Sequence, residues 1–503
     1  MLCTDIRKES MVNIIKTPSR FKNRIGKFAV HRSERCTSCG KCVTVCPYSV
    51  FVKAGDKMLR PKSYLCSGLK CAESEKGCVK NCPAGALSVA VNPNYKVLGD
   101  YRWTPDLIVS TWYQAETGEL PYMEIESDSG NSGGGLDRIR IKARPKESID
   151  PKKVDMRINL NKRNDGRPSL IIDMPIYGGG MSFGSISEST MIGRAKNAAA
   201  WNTLTCTGEG GYPEALHPYD NHVITQVATG LFGVREETIQ RVRMVEFKYA
   251  QGAKPGLGGH LLGDKVTEAV ARMRESVKGN PLFSPFPFHS VYSIEDHKKH
   301  VDWIKHINPK TLVSTKVSTP TDVEMVAVGS YYAGAHVIHI DGSYGGTGAA
   351  PEIAKKNIAM PIDYAINKTH RFLTQEGIRD KITLIASGGL RTAHDIFKAI
   401  ALGADGVVIG TSEMVALECL RCKNCESGRG CARGIATTDP LLGVMFSVDW
   451  AFQRMYNLYA SFDKQLRKLV AAAGCSSVTE VVGRTELLLH LDYENNENKD
   501  KDG

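Results

Sequence analysis

Twelve of the chain's fifteen cysteines fall into three groups whose spacing suits iron ligation better than packing. The first group runs Cys36-x2-Cys39-x2-Cys42-x3-Cys46-Pro47. In such a run three close thiolates grip one four-iron cluster, and the fourth, beside proline, reaches a second cluster. The second group is Cys66, Cys71, Cys78 and Cys82-Pro83, wider at its start but with the same x3-Cys-Pro ending. Crossing over predicts one [4Fe-4S] cluster on Cys36, Cys39, Cys42 and Cys82, and another on Cys66, Cys71, Cys78 and Cys46. Zinc is the alternative for paired cysteines, but it gives no reason for two Cys-Pro endings. Such a module carries electrons, having no substrate pocket of its own. The third group, Cys419, Cys422, Cys425 and Cys431, sets four thiols within thirteen residues. A three-iron or four-iron cluster fits it, with zinc again the alternative. Cys3 reads as a free thiol, and Cys206 and Cys475 read as small buried hydrophobes.

Glycine-rich loops carry a second chemistry. Gly178-Gly179-Gly180-Met181-Ser182, Gly208-Glu209-Gly210-Gly211 and Gly252-Ala253-Lys254-Pro255-Gly256 each follow a short apolar run. So do Asp341-Gly342 with Gly345-Gly346-Thr347-Gly348, then Gly388-Gly389, then Gly410-Thr411. Glycine lets backbone amides approach phosphate oxygens, and a helix N-terminus adds a favourable dipole. A phosphate site on the loops after strands seven and eight recurs in α/β barrels. Gly388, Gly389, Gly410 and Thr411 therefore read as an FMN phosphate clamp, with Gly180, Met181, Ser182, Gly345, Gly346, Thr347 and Gly348 on the same rim. Lys316, at the end of another apolar run, would sit by the flavin N1 and C2 carbonyl, where positive charge stabilises the reduced ring. A lysine in an internal salt bridge is the plainer reading of Lys316.

These residues need a scaffold, and the chain supplies its pattern. From Pro168 onward short β-branched runs alternate with helical periodicity, as over Asp264 to Val277 and Arg391 to Leu402, which marks βαβ units and a parallel sheet. Eight candidate strands end near Tyr177, Thr207, Gln251, Ser284, Lys316, Asp341, Ser387 and Gly410, with His289 after the fourth. Eight closes a (β/α)8 TIM barrel, so the fold class is α/β. The interval from Gly211 to Arg243 is too long for a simple crossover and reads as an extra excursion. The expected organisation is a small α+β two-cluster ferredoxin-like domain over residues 1–90, then a connecting segment over 91–167. A barrel over 168–491 and a polar tail over 492–503 follow. The run from Asp128 to Gly135, DSGNSGGG, reads as a flexible connection.

Composition narrows the class. No apolar run approaches the roughly 18 residues that cross a bilayer, and the start of the chain lacks the apolar core of a secretory signal. Clustered cysteines that ligate metal suit a reducing compartment, so the expected location is cytoplasmic. A net charge of +11 is spread thinly, with a basic patch at Lys16, Arg20, Lys22, Arg24 and Lys27. Without a concentrated stripe and aromatic platforms this does not read as nucleic-acid binding. It is a solvated face, or a docking face for an acidic electron carrier.

The segments GGGMSFGSIS, TGEGG, QGAKPGLGGHLLG, SPFPFHSVYSIED, YGGTGAAP and ASGGLRTAHDIFKAIALGADGVVIGT, with the cysteines that follow, resemble the FMN-binding synthase domain of glutamate synthases. The order of modules is similar to the short archaeal-type large subunit, in which a ferredoxin-like module precedes the barrel. The likeness runs from about Asp173 to Leu491 and, through module order, to the N-terminus. It implies 2-oxoglutarate as substrate, reductively aminated through 2-iminoglutarate to L-glutamate with hydride from reduced FMN. The resemblance further implies that Lys254 and Arg274 hold the dianionic substrate, and that Gln251 holds its keto or imino group. Glu209 would manage protons. No glutaminase domain precedes the module, so ammonia is expected free or from a separate glutaminase subunit. Electrons are expected from ferredoxin or an NADPH-oxidising flavoprotein subunit. Cys419, Cys425 and Cys431 match the family's three-iron motif with one insertion, and Cys422 is extra. Phe288-His289 stands where paired histidines are usual, and Tyr344 where an acidic residue often precedes GGTGA. Both departures are expected on the substrate side. They keep open an FMN oxidoreductase of another small carboxylate, and an electron-relay subunit is the third reading.

Overall fold

The computed structural model describes residues 12–21, 24–142, 149–347, 350–425 and 429–493; Cys3, Lys22, Gly348 and residues 494–503 lie outside them. Eight strands form a closed parallel barrel: β1 (Ile176–Gly178), β2 (Thr205–Cys206), β3 (Val223–Ala228), β4 (Met244–Lys248), β5 (Leu312–Ser318), β6 (Val337–Asp341), β7 (Thr383–Ser387) and β8 (Gly406–Ile409). Each pairs with the next in sequence, and β8 returns to β1. With helices outside and side chains filling the interior, parallel strands are buried on both faces, which is why runs such as VIHID and TLIAS scarcely alternate. Among the described residues no helix is long and apolar enough to cross a membrane.

Two of the expected strands are placed differently. β3, buried at all six positions, lies inside the interval read as an excursion. It was hidden because no α-helix stands between β2 and β3, only 3-10 turns over Glu214–His222, so the strand–helix alternation breaks there. The segment ending at Ser284 is not in the barrel: Leu282–Phe283 pairs antiparallel with His260–Leu261. Pro281, Pro285 and Pro287 account for this, since proline lacks the N–H that a central strand must donate. Gln251 therefore follows β4, and His289, which is exposed, follows no barrel strand.

The segment before the barrel is more regular than its sequence suggests. Pro105–Thr117 forms a largely buried helix, α1, whose cap Thr104 Oγ1 accepts from Leu107 N–H at 3.3 Å. It packs on the long helix α2 (Val448–Ala472). Arg454 of α2 is fully buried and donates to the carbonyls of Ala416, Thr17 and Trp112 at 2.6, 2.8 and 3.2 Å. One guanidinium thus joins α1, the N-terminal strap and the helix after β8. The run DSGNSGGG is fastened rather than loose. The buried Asp137 carboxylate accepts from Gly130 N–H, Ser132 N–H and Ser132 Oγ at 2.7, 3.1 and 2.6 Å, and pairs with Arg391. Burial alone would raise this carboxyl; Arg391 and Ser132 overcome that and hold it well below its ordinary range. In the N-terminal module Phe28–Arg32 pairs antiparallel with Leu87–Val91 and closes the cysteine-bearing segment on itself.

One buried base makes stability depend on acidity. His297, on the helix Ile294–Ile307, contacts Tyr249 and Thr315. Burial, with His300 nearby, lowers its pKa from 6.5 to about 4. Between those values the unfolded chain binds more protons than the folded one. The contribution is fully present above pH 6.5 and is lost as pH falls toward 4. At about 1.4 kcal/mol per unit it amounts to about 3 kcal/mol. In His297→Gln the urea midpoint is expected to fall less steeply below pH 6.5 than in the wild type; an equal slope would contradict this.

Candidate active site

The loops at the C-terminal ends of the strands surround a cavity of about 1050 Å³. Gly180, Met181 and Ser182 line it from the loop after β1, and Glu209 from the loop after β2. Gln251 and Lys254 follow β4, while Lys316 stands within β5. Gly345, Gly346 and Thr347 enter after β6, Gly388 and Gly389 after β7, and Gly410 and Thr411 after β8. All four cysteines of the third group line the same space. Arg274 does not line it. Its Nη2 donates to Ser182 Oγ at 2.9 Å and to the Phe183 carbonyl at 3.0 Å, supporting the first loop from behind.

The glycines serve loop closure as well as ligand approach. Gly388 and Gly389 have φ of +96° and +105°, a region costly for a side chain. A Cβ on Gly389 would stand 2.7 Å from Tyr344 Cβ, and one on Gly346 would stand 2.4 Å from Thr411 Oγ1. The loops after β6, β7 and β8 therefore meet backbone to side chain.

Charge in the cavity is organised around two carboxylates. Glu209 lies 3.6 Å from Lys248 Nζ, and its Oε2 accepts from Ser284 Oγ at 3.3 Å. Burial opposes its charge, yet Lys248, Lys254 and Arg274 together lower its pKa below the ordinary value. Three cations thus act on this one carboxylate. Lys316 Nζ is 3.6 Å from Asp341 Oδ2. Burial disfavours the ammonium, but Asp341 and Glu246 more than offset this and raise its pKa, so it stays charged.

Asp341 also lines the cavity, as do Lys248 and Gln226, which sequence reasoning missed. Register brings Lys248 of β4 beside Lys316 of β5. That adjacency was legible only with the strands correctly numbered. Of the two departures expected on the substrate side, Tyr344 lines the cavity, but Phe288 does not. Phe288 is buried in an aromatic cluster with Phe247 and Tyr249.

The cysteines gather as their spacing predicts. Burial raises the Cys42 thiol, and its neighbours Cys36, Cys39 and Cys82 raise it further. Burial pushes Cys78 up to about 12, with Cys46, Cys66 and Cys71 adding to it. Each expected quartet is thus one neighbourhood. In the third group burial pushes Cys419 up to about 11 beside Cys425 and Cys431, while Cys422 is exposed. Among the described residues no three His, Cys, Asp or Glu side chains form a site that could hold a single metal ion. The chain leaving the N-terminal module meets this third loop directly: Gly99 N–H donates to the Leu420 carbonyl at 3.2 Å, and Asp100 pairs with Arg421 at 2.9 Å.

A family model for the conserved region in glutamate synthase matches residues 135–476, and one for a 4Fe-4S binding domain matches residues 28–51. The archaeal glutamate synthase (NADPH) of Methanocaldococcus jannaschii is 35% identical over 90% of this chain and 93% of its own length. The archaeal-type glutamate synthase (NADPH) of Dehalococcoides mccartyi is 34% identical over 92% and 95%. The glutamate synthase (NADPH) large chain of Azospirillum brasilense is 37% identical over 61% of this chain and 21% of its own. Among solved structures, a flavocytochrome b2 with sulfite bound superposes with a TM-score of 0.44 at 15% identity, covering 72% of this chain and 78% of that one. The glutamate synthase region fills the barrel, relatives align nearly end to end, and an iron-sulfur module leads the chain: this oxidoreductase belongs to the glutamate synthase family, in its archaeal-type layout.

Proposed function

We propose that the chain makes L-glutamate by reductive amination of 2-oxoglutarate through 2-iminoglutarate, on FMN held in the barrel cavity. The observation that carries this reading is the shared cavity: Lys316, the Lys254–Glu209 group, the closing glycine loops and the third cysteine group all face it. FMN, when bound, supplies the hydride, and the clusters supply its electrons singly. The buried Lys316 charge suits the pyrimidine side of the flavin. Gly388, Gly389, Gly410 and Thr411 would hold its phosphate, with Gly180, Met181, Ser182, Gly345, Gly346 and Thr347 around it.

For the substrate, Lys248 and Lys254 would take up the two carboxylates, and Gln251 would hydrogen-bond the keto or imino group. Arg274 contributes by keeping Ser182 and Glu209 in place. Because three cations depress the Glu209 pKa, this carboxylate accepts hydrogen bonds near neutrality and is a poor proton donor. It suits accepting a hydrogen bond from an incoming neutral ammonia.

We assign two [4Fe-4S] clusters to the N-terminal quartets. A [3Fe-4S] cluster fits Cys419, Cys425 and Cys431, with Cys422 as the extra thiol that a [4Fe-4S] cluster would need. The proposed organisation is a ferredoxin-like domain over 1–90, a connection over 91–167, the barrel over 168–491 and a tail over 492–503, working in the cytoplasm. Ferredoxin or an NADPH-oxidising flavoprotein subunit would donate electrons, and ammonia would come free or from a separate glutaminase subunit. A different carboxylate as substrate rests now on Tyr344 alone.

The test is isotopic. Reduced protein given 2-oxoglutarate and 15N-ammonium is expected to form 15N-glutamate, whereas amide-labelled glutamine alone yields none. Label arriving from glutamine would contradict the nitrogen source, and glutamate from neither would contradict the reaction.

A further inference from the structure

A chain of polar side chains crosses the barrel at the floor of the cavity, and the proposed chemistry gives its two central members no role. Glu246 of β4 and His339 of β6 are 2% and 1% exposed, and neither lines the cavity. Glu246 Oε1 accepts from Gln226 Nε2 at 2.8 Å; its Oε2 accepts from Ser314 Oγ at 3.2 Å and lies 2.9 Å from His339 Nδ1. The other ring nitrogen, Nε2, lies 2.7 Å from Ser387 Oγ, and Ser387 Oγ donates to Asp341 Oδ1 at 2.6 Å. Asp341 Oδ2 accepts from Gly252 N–H at 2.9 Å and faces Lys316 Nζ at 3.6 Å.

Counting protons decides the state of the imidazole. A carboxylate only accepts, and a hydroxyl has one proton to give. Ser387 gives that proton to Asp341, so its oxygen accepts from His339, and Nε2 must carry a hydrogen. Glu246 likewise requires one on Nδ1. Burial opposes the charge of Glu246, but His339 and Lys316 hold its pKa at about 2, so the proton does not reside on the carboxyl. The other titratable groups facing Glu246 are Tyr177 and Cys206, both kept neutral by burial.

We propose that His339 is held as an imidazolium by Glu246, and that it is a positioning residue which sets the charge beneath the flavin through Ser387, Asp341 and Lys316. The proposal rests on the FMN reading above. With His339 charged, two carboxylates and two cations cancel. With it neutral, a net negative charge would lie buried under a ring that gains negative charge on reduction. The imidazolium therefore makes reduction easier.

The test is a spectroscopic titration of the flavin midpoint potential in the holoenzyme. His339→Gln is expected to be harder to reduce, with the reduced-to-oxidised ratio at a fixed potential down about tenfold, or about 30 mV for a two-electron couple. The double variant His339→Gln with Glu246→Gln removes one charge of each sign and is expected to return toward the wild type. An unchanged potential in the single variant, or a double variant as low as the single, would overturn the proposal. If the single variant does not fold, neutron diffraction from deuterated wild-type crystals decides it. Deuterium on both ring nitrogens supports the imidazolium, and its absence from either sinks it. A purified chain that holds no flavin would refute the FMN reading instead, and the neutron result would still stand.

Discussion

Lys254→Ala is expected to lose kcat/KM for 2-oxoglutarate by about 30-fold to 3000-fold, because truncating one partner of a buried charge pair costs about 2–5 kcal/mol and each 1.4 kcal/mol is about tenfold. Lys254 is 5% exposed, lines the cavity and acts on Glu209 from one side, with Lys248 and Arg274 contributing from others. Removing it both weakens the pull on a dianion and returns Glu209 toward its ordinary, more basic state. Because Lys254 stands after β4 while the glycine loops stand after β7 and β8, flavin content should not change. Steady-state rates together with the flavin absorption of the purified variant check both halves. Wild-type turnover in Lys254→Ala would remove the substrate assignment.

Cys419→Ser is expected to abolish donor-driven turnover, down to background, while chemically reduced flavin still aminates 2-oxoglutarate. Cys419 sits with Cys425 and Cys431, and Arg421 N–H donates to its sulfur at 3.4 Å. Its loop is also where the N-terminal module's exit segment is bonded, through Gly99 and Asp100. If electrons pass from the N-terminal clusters to the cavity by this loop, losing its cluster cuts the supply without touching the chemistry. Electron paramagnetic resonance should show one cluster signal lost and the N-terminal signals kept. Donor-driven turnover that survives with that signal absent would place the electron route elsewhere.

The parts legible in the sequence were those whose chemistry is local. Cysteine spacing grouped thiols that lie near one another in the fold, Cys42 with Cys36, Cys39 and Cys82, and Cys78 with Cys46, Cys66 and Cys71. The strands ending near Lys316, Asp341, Ser387 and Gly410 were legible because each is a run of apolar and β-branched residues, the last three leading into a glycine loop. β3 was not, because its approach from β2 winds through 3-10 turns with prolines at 213 and 218 instead of a helix. The spurious strand ending at Ser284 stood between Lys248 and Lys316 in the sequence reading and hid their adjacency. Long-range pairing defeated the reading elsewhere. The glycine-rich DSGNSGGG run is held by Asp137, whose carboxylate in turn meets Arg391, 254 residues away. Arg274 was expected on the substrate and stands behind a loop, and Phe288 was expected near the substrate and sits among aromatics. In both cases residue type was informative but direction was not.

The most direct measurement of the central claim is anaerobic reoxidation of the flavin. The protein is reduced to completion, mixed with 2-oxoglutarate and ammonium together, and followed in the visible spectrum, with each compound alone as control. Prompt return of the oxidised flavin spectrum is expected only when both are present, with one L-glutamate formed for every two electrons lost by the flavin and the clusters together. A reduced flavin indifferent to the pair would contradict the account and leave the barrel as a relay of electrons.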